Sequence, residues 1–179
     1  MNAPLPTAKE LEKLPMRAVV AYASRTAHRI SSEFRGIISD DILDDALRVI
    51  DSVSMPHRLG EVDAASVIRA NERVIAAYVT APLSMKSEEK FRMLFSLVHA
   101  ALAAMNALLA AANPSITSRQ MERVADAAQR AVRPLECLNG EAAIEAKKAA
   151  RRDYDILLWK YGEHDGVIIG DPVDCFDDE

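Results

Sequence analysis

Four polar side chains recur along one line of an otherwise apolar stretch, and they are the first candidates for a site. The stretch covers residues 93–112, twenty residues without a formal charge. The polar residues at or beside it are spaced by three and four, with Ala103 filling one step: Arg92, Ser96, His99 and Asn106. This spacing places side chains on one helix face. Because a histidine can transfer protons near neutral pH, a cleft with these side chains would suit an enzyme or a small-ligand binder.

The alternative for the same line is a narrow solvent-facing strip on a helix whose broad alanine and leucine faces are buried. Most surface helices of globular proteins show this amphipathic pattern. The two interpretations differ only in whether the polar line points into a cleft or into water. The sequence leaves that choice open.

Basic residues on the first long predicted helix, over residues 16–34, form a second candidate site. They could contact an acidic partner or an anionic ligand, and they are Arg17, Arg25, His28 and Arg29. A solvated face is the alternative, in which Arg29 pairs with Glu33 one turn later. A nucleic-acid-associated regulator is a further hypothesis for these residues. The net charge of −5 and the lack of an aromatic array make nucleic-acid binding the less favoured function.

Other reactive residue types do not form a recognisable motif. His164 and Asp165 make an isolated pair, which is too little for a metal site. The acidic residues of 40–45 are better explained as the start of a helix, where carboxylates interact favourably with the helix dipole. The two cysteines, Cys137 and Cys175, are not in a C-x-x-C arrangement. We therefore predict no catalytic residue, no bound metal and no cofactor.

The elements that must position the candidates are helices. Apolar residues recur with helical spacing through most of the chain, and few segments alternate with period two. We predict an all-α, single-domain bundle of five to seven mostly antiparallel helices, with 93–112 in the central helix. The predicted helices cover 8–14, 16–34, 40–53, 62–80, 87–112, 117–135 and 141–161.

The last seventeen residues differ in composition from the rest of the chain. Residues 163–179 hold seven acidic side chains and no lysine or arginine. We predict a helical domain over 1–162 and an acidic tail over 163–179 that is extended or partly disordered. The tail could dock on the basic residues of 147–152, bind a partner or simply increase solubility.

The compartment and the general class of function follow from the remaining features. Residues 93–112 are long enough to span a bilayer, but they are mostly alanine and include three polar side chains, which makes a poor span. The first fifteen residues lack the apolar core of a secretory signal. We predict a cytoplasmic, non-enzymatic protein of the adaptor, accessory or immunity type, with no membrane contact. Its partner would be another protein or a second copy of itself.

Overall fold

The computed structural model describes residues 4–54, 63–113, 117–137 and 141–162. Within these ranges the chain forms seven α-helices and no strand, which confirms the predicted all-α bundle. The helices are α1 (Ala8–Leu11), α2 (Met16–Ser31), α3 (Asp40–Ser54), α4 (Ala64–Thr80), α5 (Glu88–Ala112), α6 (Thr117–Val132) and α7 (Glu141–Tyr161). Single 3₁₀ turns cover Ser32–Phe34, Leu83–Met85 and Arg133–Cys137. The predicted acidic tail over 163–179 lies outside the described residues.

Local polar contacts explain where several helices begin and end. Thr7 starts α1 with a capping box: its hydroxyl accepts from the Glu10 N–H, and the Glu10 carboxylate accepts from the Thr7 N–H. Asp63 and Ser87 cap α4 and α5 by accepting from the N–H three residues later. Helix α2 ends three residues earlier than predicted, because the chain tightens into a 3₁₀ turn before Gly36. Gly36 has a φ of +83°, a left-handed conformation that favours glycine.

Helices α2 and α5 together occupy the centre of the bundle. Helix α5 contacts α2, α3, α4 and α6, as predicted for a central helix. Helix α2 contacts α3, α5, α6 and α7, and every residue from Ala18 to Ala27 is buried. The expectation of a solvated face on this part of α2 was therefore wrong. Its physical cause is that α7 covers the side of α2 that carries Arg25.

The most extensive helix pair is α5 with α6. Alanines fill most of the buried positions of both helices, including Ala100, Ala103 and Ala110 on α5 and Ala125 and Ala128 on α6. Small side chains let two helix backbones approach closely, and closely packed interiors leave no room for larger ones. The packing of α6 on α5 therefore determines which face of α5 is exposed to solvent.

Candidate functional site

The polar line of α5 is divided between the core, a groove and the surface. Ser96 is fully buried, whereas Arg92 is exposed. His99 and Asn106 are half-buried, and each donates a hydrogen bond to its own helix. His99 Nδ1 lies 2.8 Å from the Phe95 carbonyl oxygen, and Asn106 Nδ2 lies 2.9 Å from that of Leu102. The line is therefore not a continuous solvent strip, and its four side chains do not share one cleft.

Two of the four residues line a groove of about 410 Å³ between α5 and α6. The α5 wall consists of Arg92, Phe95 and His99; α6 and the turn after it supply Asp126, Gln129, Arg130, Arg133 and Pro134. The amino-terminal half of α5 thus meets the carboxyl-terminal end of α6, as expected for antiparallel neighbours. Ser96 and Asn106 are absent from these walls. Of the four residues of the predicted cleft, the described structure thus places Arg92 and His99 in one groove.

The groove carries more positive than negative charge. It has three guanidinium groups, two of which pair with carboxylates one turn away: Arg92 with Glu88 at 2.5 Å, and Arg130 with Asp126 at 2.9 Å. Pairs of this kind are exposed and contribute only about 0.3–0.5 kcal/mol each. Arg133 makes no ion pair with any residue in the described ranges. A guanidinium group such as that of Arg133 can bind an incoming carboxylate or phosphate in a bidentate manner.

The groove combines one histidine with charged and apolar side chains. None of its lining residues is a serine, threonine or cysteine, so it has no hydroxyl or thiol nucleophile beside His99. Its carboxylate, Asp126, is paired with Arg130 rather than with the imidazole. The residues that the structure describes also contain no group of three or more histidine, cysteine, aspartate or glutamate side chains that could hold a metal.

Apolar side chains occupy the outer face of α5, beside the partly exposed polar line. Its side chains are spaced by four, three, four, three and four residues: Phe91, Phe95, Val98, Leu102, Met105 and Leu109. Phe91 is 50% exposed, Phe95 42% and Leu109 39%, and the other three are half-buried. The polar line lies on the neighbouring side of α5, where α6 packs. We call these six residues the α5 stripe.

Helix α4 extends the apolar surface on one side of the α5 stripe. Ile68, Ile75 and Val79 are exposed and follow one another by seven and four residues, so they lie on one face of α4. Ile68 and Ile75 lie outside the buried face of α4, which consists of Val67, Ala70, Val74 and Tyr78. The Tyr78 ring links the two helices, with its centroid 6.4 Å from that of Phe91. We call the α5 stripe with these three α4 residues the α4–α5 face.

The basic residues of α2 largely make contacts inside the chain. Arg25 and Arg29 approach the Asp153 carboxylate on α7, at 3.5 and 2.5 Å. His28 Nε2 lies 2.9 Å from one oxygen of Asp51 on α3, and the Ser24 hydroxyl donates to the other oxygen. Arg17 is half-buried. Three of the four proposed partner-binding residues thus connect α2 to its neighbours, and their role toward a partner stays a prediction.

Sequence reasoning overlooked the α5 stripe and the α6 side of the groove. The heptad-like spacing of the stripe is readable in the sequence, but in a helix this apolar it resembles an ordinary buried face. Arg130 and Arg133 carry no local signal, because they approach Arg92 only once α6 lies antiparallel to α5. Their contribution depends on tertiary structure.

By length and composition, α5 is the one helix in the described ranges that could cross a membrane. This supports a membrane span only weakly, because a core helix passes the same test and 56% of the most apolar window of α5 is buried in the bundle. Comparisons with protein-family models, curated proteins and solved structures find no match to this chain.

Proposed function

We propose that this chain is a non-enzymatic, cytoplasmic protein-interaction protein of the adaptor or accessory type, and that the α4–α5 face is its contact surface. The observation that carries the proposal is the exposure of the α5 stripe along a 25-residue helix. Contiguous exposed apolar surface in a monomer marks an interaction site more often than isolated apolar residues do. Fully burying an exposed large apolar side chain contributes about 1.5–3 kcal/mol, and covering these partly exposed side chains would contribute a fraction of that for each one.

The two alternative functions have less support. An enzyme or small-ligand binder using Arg92, His99 and Asn106 would need the three side chains in one cavity, and Asn106 does not line the groove. A nucleic-acid-associated regulator would need the basic residues of α2 at the surface. Arg25 is only 7% exposed, and it shares Asp153 with Arg29.

Site-specific photo-cross-linking in the cells that produce the protein tests the proposed function. A photoreactive residue replaces Leu102 in the middle of the α5 stripe, and in a matched control it replaces the exposed Arg152 on α7. We expect a discrete protein adduct from position 102 that is absent from position 152. Circular dichroism of both purified variants confirms that they are folded. Equal or absent adducts from the two positions would exclude the α4–α5 face as the contact surface.

A further inference from the structure

We infer that the partner segment covering the α4–α5 face is an amphipathic α-helix whose one margin is acidic, and that its carboxylates occupy the groove of Arg92, Arg130 and Arg133. This inference rests on the proposed function and names the partner of the same surface. It draws on two independent observations: the spacing of the α5 stripe and the charge of the groove beside it.

The spacing of the α5 stripe selects a helical partner. Alternating steps of four and three are the a and d positions of a heptad repeat, which meets a second helix through knobs-into-holes packing at a shallow crossing angle. The stripe spans Phe91 to Leu109, a rise of about 27 Å at 1.5 Å per residue. A strand, whose side chains alternate every two residues, would not match this pattern over the same length.

The groove beside the stripe selects acidic residues on the partner. Arg92 and His99 directly follow Phe91 and Val98, so they lie along the α6 side of the stripe. Arg130 and Arg133 form the opposite wall of the groove. A helix lying on the stripe would extend its flanking side chains over this groove, where carboxylates could bind the guanidinium groups. On the other side of the stripe, Ile75 and Val79 favour apolar contacts.

Charge complementarity argues against a second copy of this chain as the occupant. Helix α5 carries no aspartate or glutamate after Glu89, so the α5 of another copy offers no carboxylate to these arginines. In an antiparallel pair about a two-fold axis, the amino-terminal half of one α5, which lines the groove, would lie against the carboxyl-terminal half of the other α5, where there is no formal charge. A helix from a different protein, with glutamate or aspartate along one side, meets both the apolar and the charged requirement.

The test measures binding of designed helical peptides to the full chain by fluorescence anisotropy. Three peptides of about 21 residues share leucines at the a and d positions and differ on one margin, which carries glutamate, glutamine or lysine. We expect the glutamate peptide to bind at least about tenfold more tightly than the lysine peptide, with the difference shrinking at high salt. Equal affinities for the three peptides would overturn the inference that the partner helix has an acidic margin.

Variants of the protein identify the surface that each peptide uses. The double charge reversal Arg130→Glu and Arg133→Glu should invert the preference in favour of the lysine peptide. Leu102→Glu should abolish binding of all three peptides. Arg152→Glu, an exposed change on α7, should leave the affinities unchanged. Retained discrimination in the double variant would overturn the assignment of the groove, and circular dichroism checks that each variant is folded.

Two further outcomes separate this inference from the proposed function. If no peptide binds while position 102 still cross-links to a partner protein, the inference of an acidic helical partner is wrong. The proposal that the α4–α5 face is the contact surface is then retained. If light scattering finds a dimer that Leu102→Glu dissociates, a second copy is the occupant and the inference is overturned. If neither peptides nor cross-links are found, both proposals fail.

Discussion

At the scale of single residues, Asp153 is the carboxylate that compensates buried positive charge between α2 and α7. It approaches two arginines of α2, and it is itself buried. Removing one partner of a buried ion pair leaves the other charge without compensation in a medium of low polarity. Two of the side chains that suggested an interaction site on α2, Arg25 and Arg29, therefore connect α2 to α7.

We predict that Asp153→Asn lowers the free energy of unfolding by about 3 kcal/mol, because it removes a buried carboxylate that lies close to the guanidinium groups of Arg25 and Arg29. Urea denaturation measures the loss. Asp155→Asn is the matched control: Asp155 is exposed and pairs with Arg151, so its loss should cost less than about 1 kcal/mol. Similar losses in the two variants would contradict the buried ion pair.

Glu10 provides a prediction about pH. The hydrogen bond from the Thr7 backbone N–H lowers the pKa of the Glu10 carboxyl from its ordinary value of 4.5; the Thr7 hydroxyl and Arg151 add to this against the opposing effect of burial. A lowered pKa in the folded state means that the ionised carboxylate stabilises the fold above the pKa of the unfolded chain. That stabilisation is lost as the pH falls through the pKa of the folded state.

Glu10→Gln should therefore be less stable than the natural chain near neutral pH, and the difference should shrink as the solution is acidified below about pH 4.5. Thermal unfolding followed by circular dichroism from neutral to acidic pH measures both chains. A difference that stays constant over this range would show that the Glu10 charge does not contribute to the capping box.

At the scale of elements, the packing of α6 on α5 determines which side chains of α5 are exposed. Small buried residues such as Ala103 allow the two helices to approach, and the apolar stripe is thereby left outside. Most of the buried side chains of α5 are alanines, and several of its larger apolar side chains are exposed at the surface. The exposed stripe is the basis of the proposed contact surface.

Ala103→Leu should destabilise the bundle by about 1–3 kcal/mol, because a fully buried site has no room for three further carbons. Ala111→Leu is the matched control on the same helix. Ala111 is exposed, and leucine is nearly as good a helix former as alanine, so its effect should stay within about 0.5 kcal/mol. Chemical denaturation compares the two; equal stability would contradict close packing at Ala103.

The comparison of prediction and structure also belongs to this scale. Helix α7 was predicted over 141–161 and covers that range, because Asn139 with Gly140 and then Gly162 interrupt an otherwise helical sequence. The capping box at Thr7 was equally readable. The orientation of α5 in the bundle could not be predicted, because it depends on which neighbouring helix packs against the alanines of α5. For the same reason Arg92 and His99 could be predicted as groove residues, whereas Arg130 and Arg133 could not.

At the scale of the whole molecule, the described residues form a helical bundle in which the α4–α5 face is partly exposed. Its core is continuous through α2, α5 and α6, and its charged residues connect α2 to α3 and α7. The α4–α5 face borders this core, since Val98, Leu102 and Met105 pack against it and remain partly exposed. An apolar surface bordered by a basic groove supports recognition of a partner with matching features, since charge complementarity adds selectivity to apolar attraction.

The most direct test of this account is the cross-linking comparison between positions 102 and 152. A contact surface on the α4–α5 face predicts a discrete adduct with another protein from position 102 and none from position 152. Adding Arg130→Glu and Arg133→Glu to the position-102 variant should weaken that adduct. If position 102 yields no adduct, or if both positions yield the same one, the central claim is contradicted.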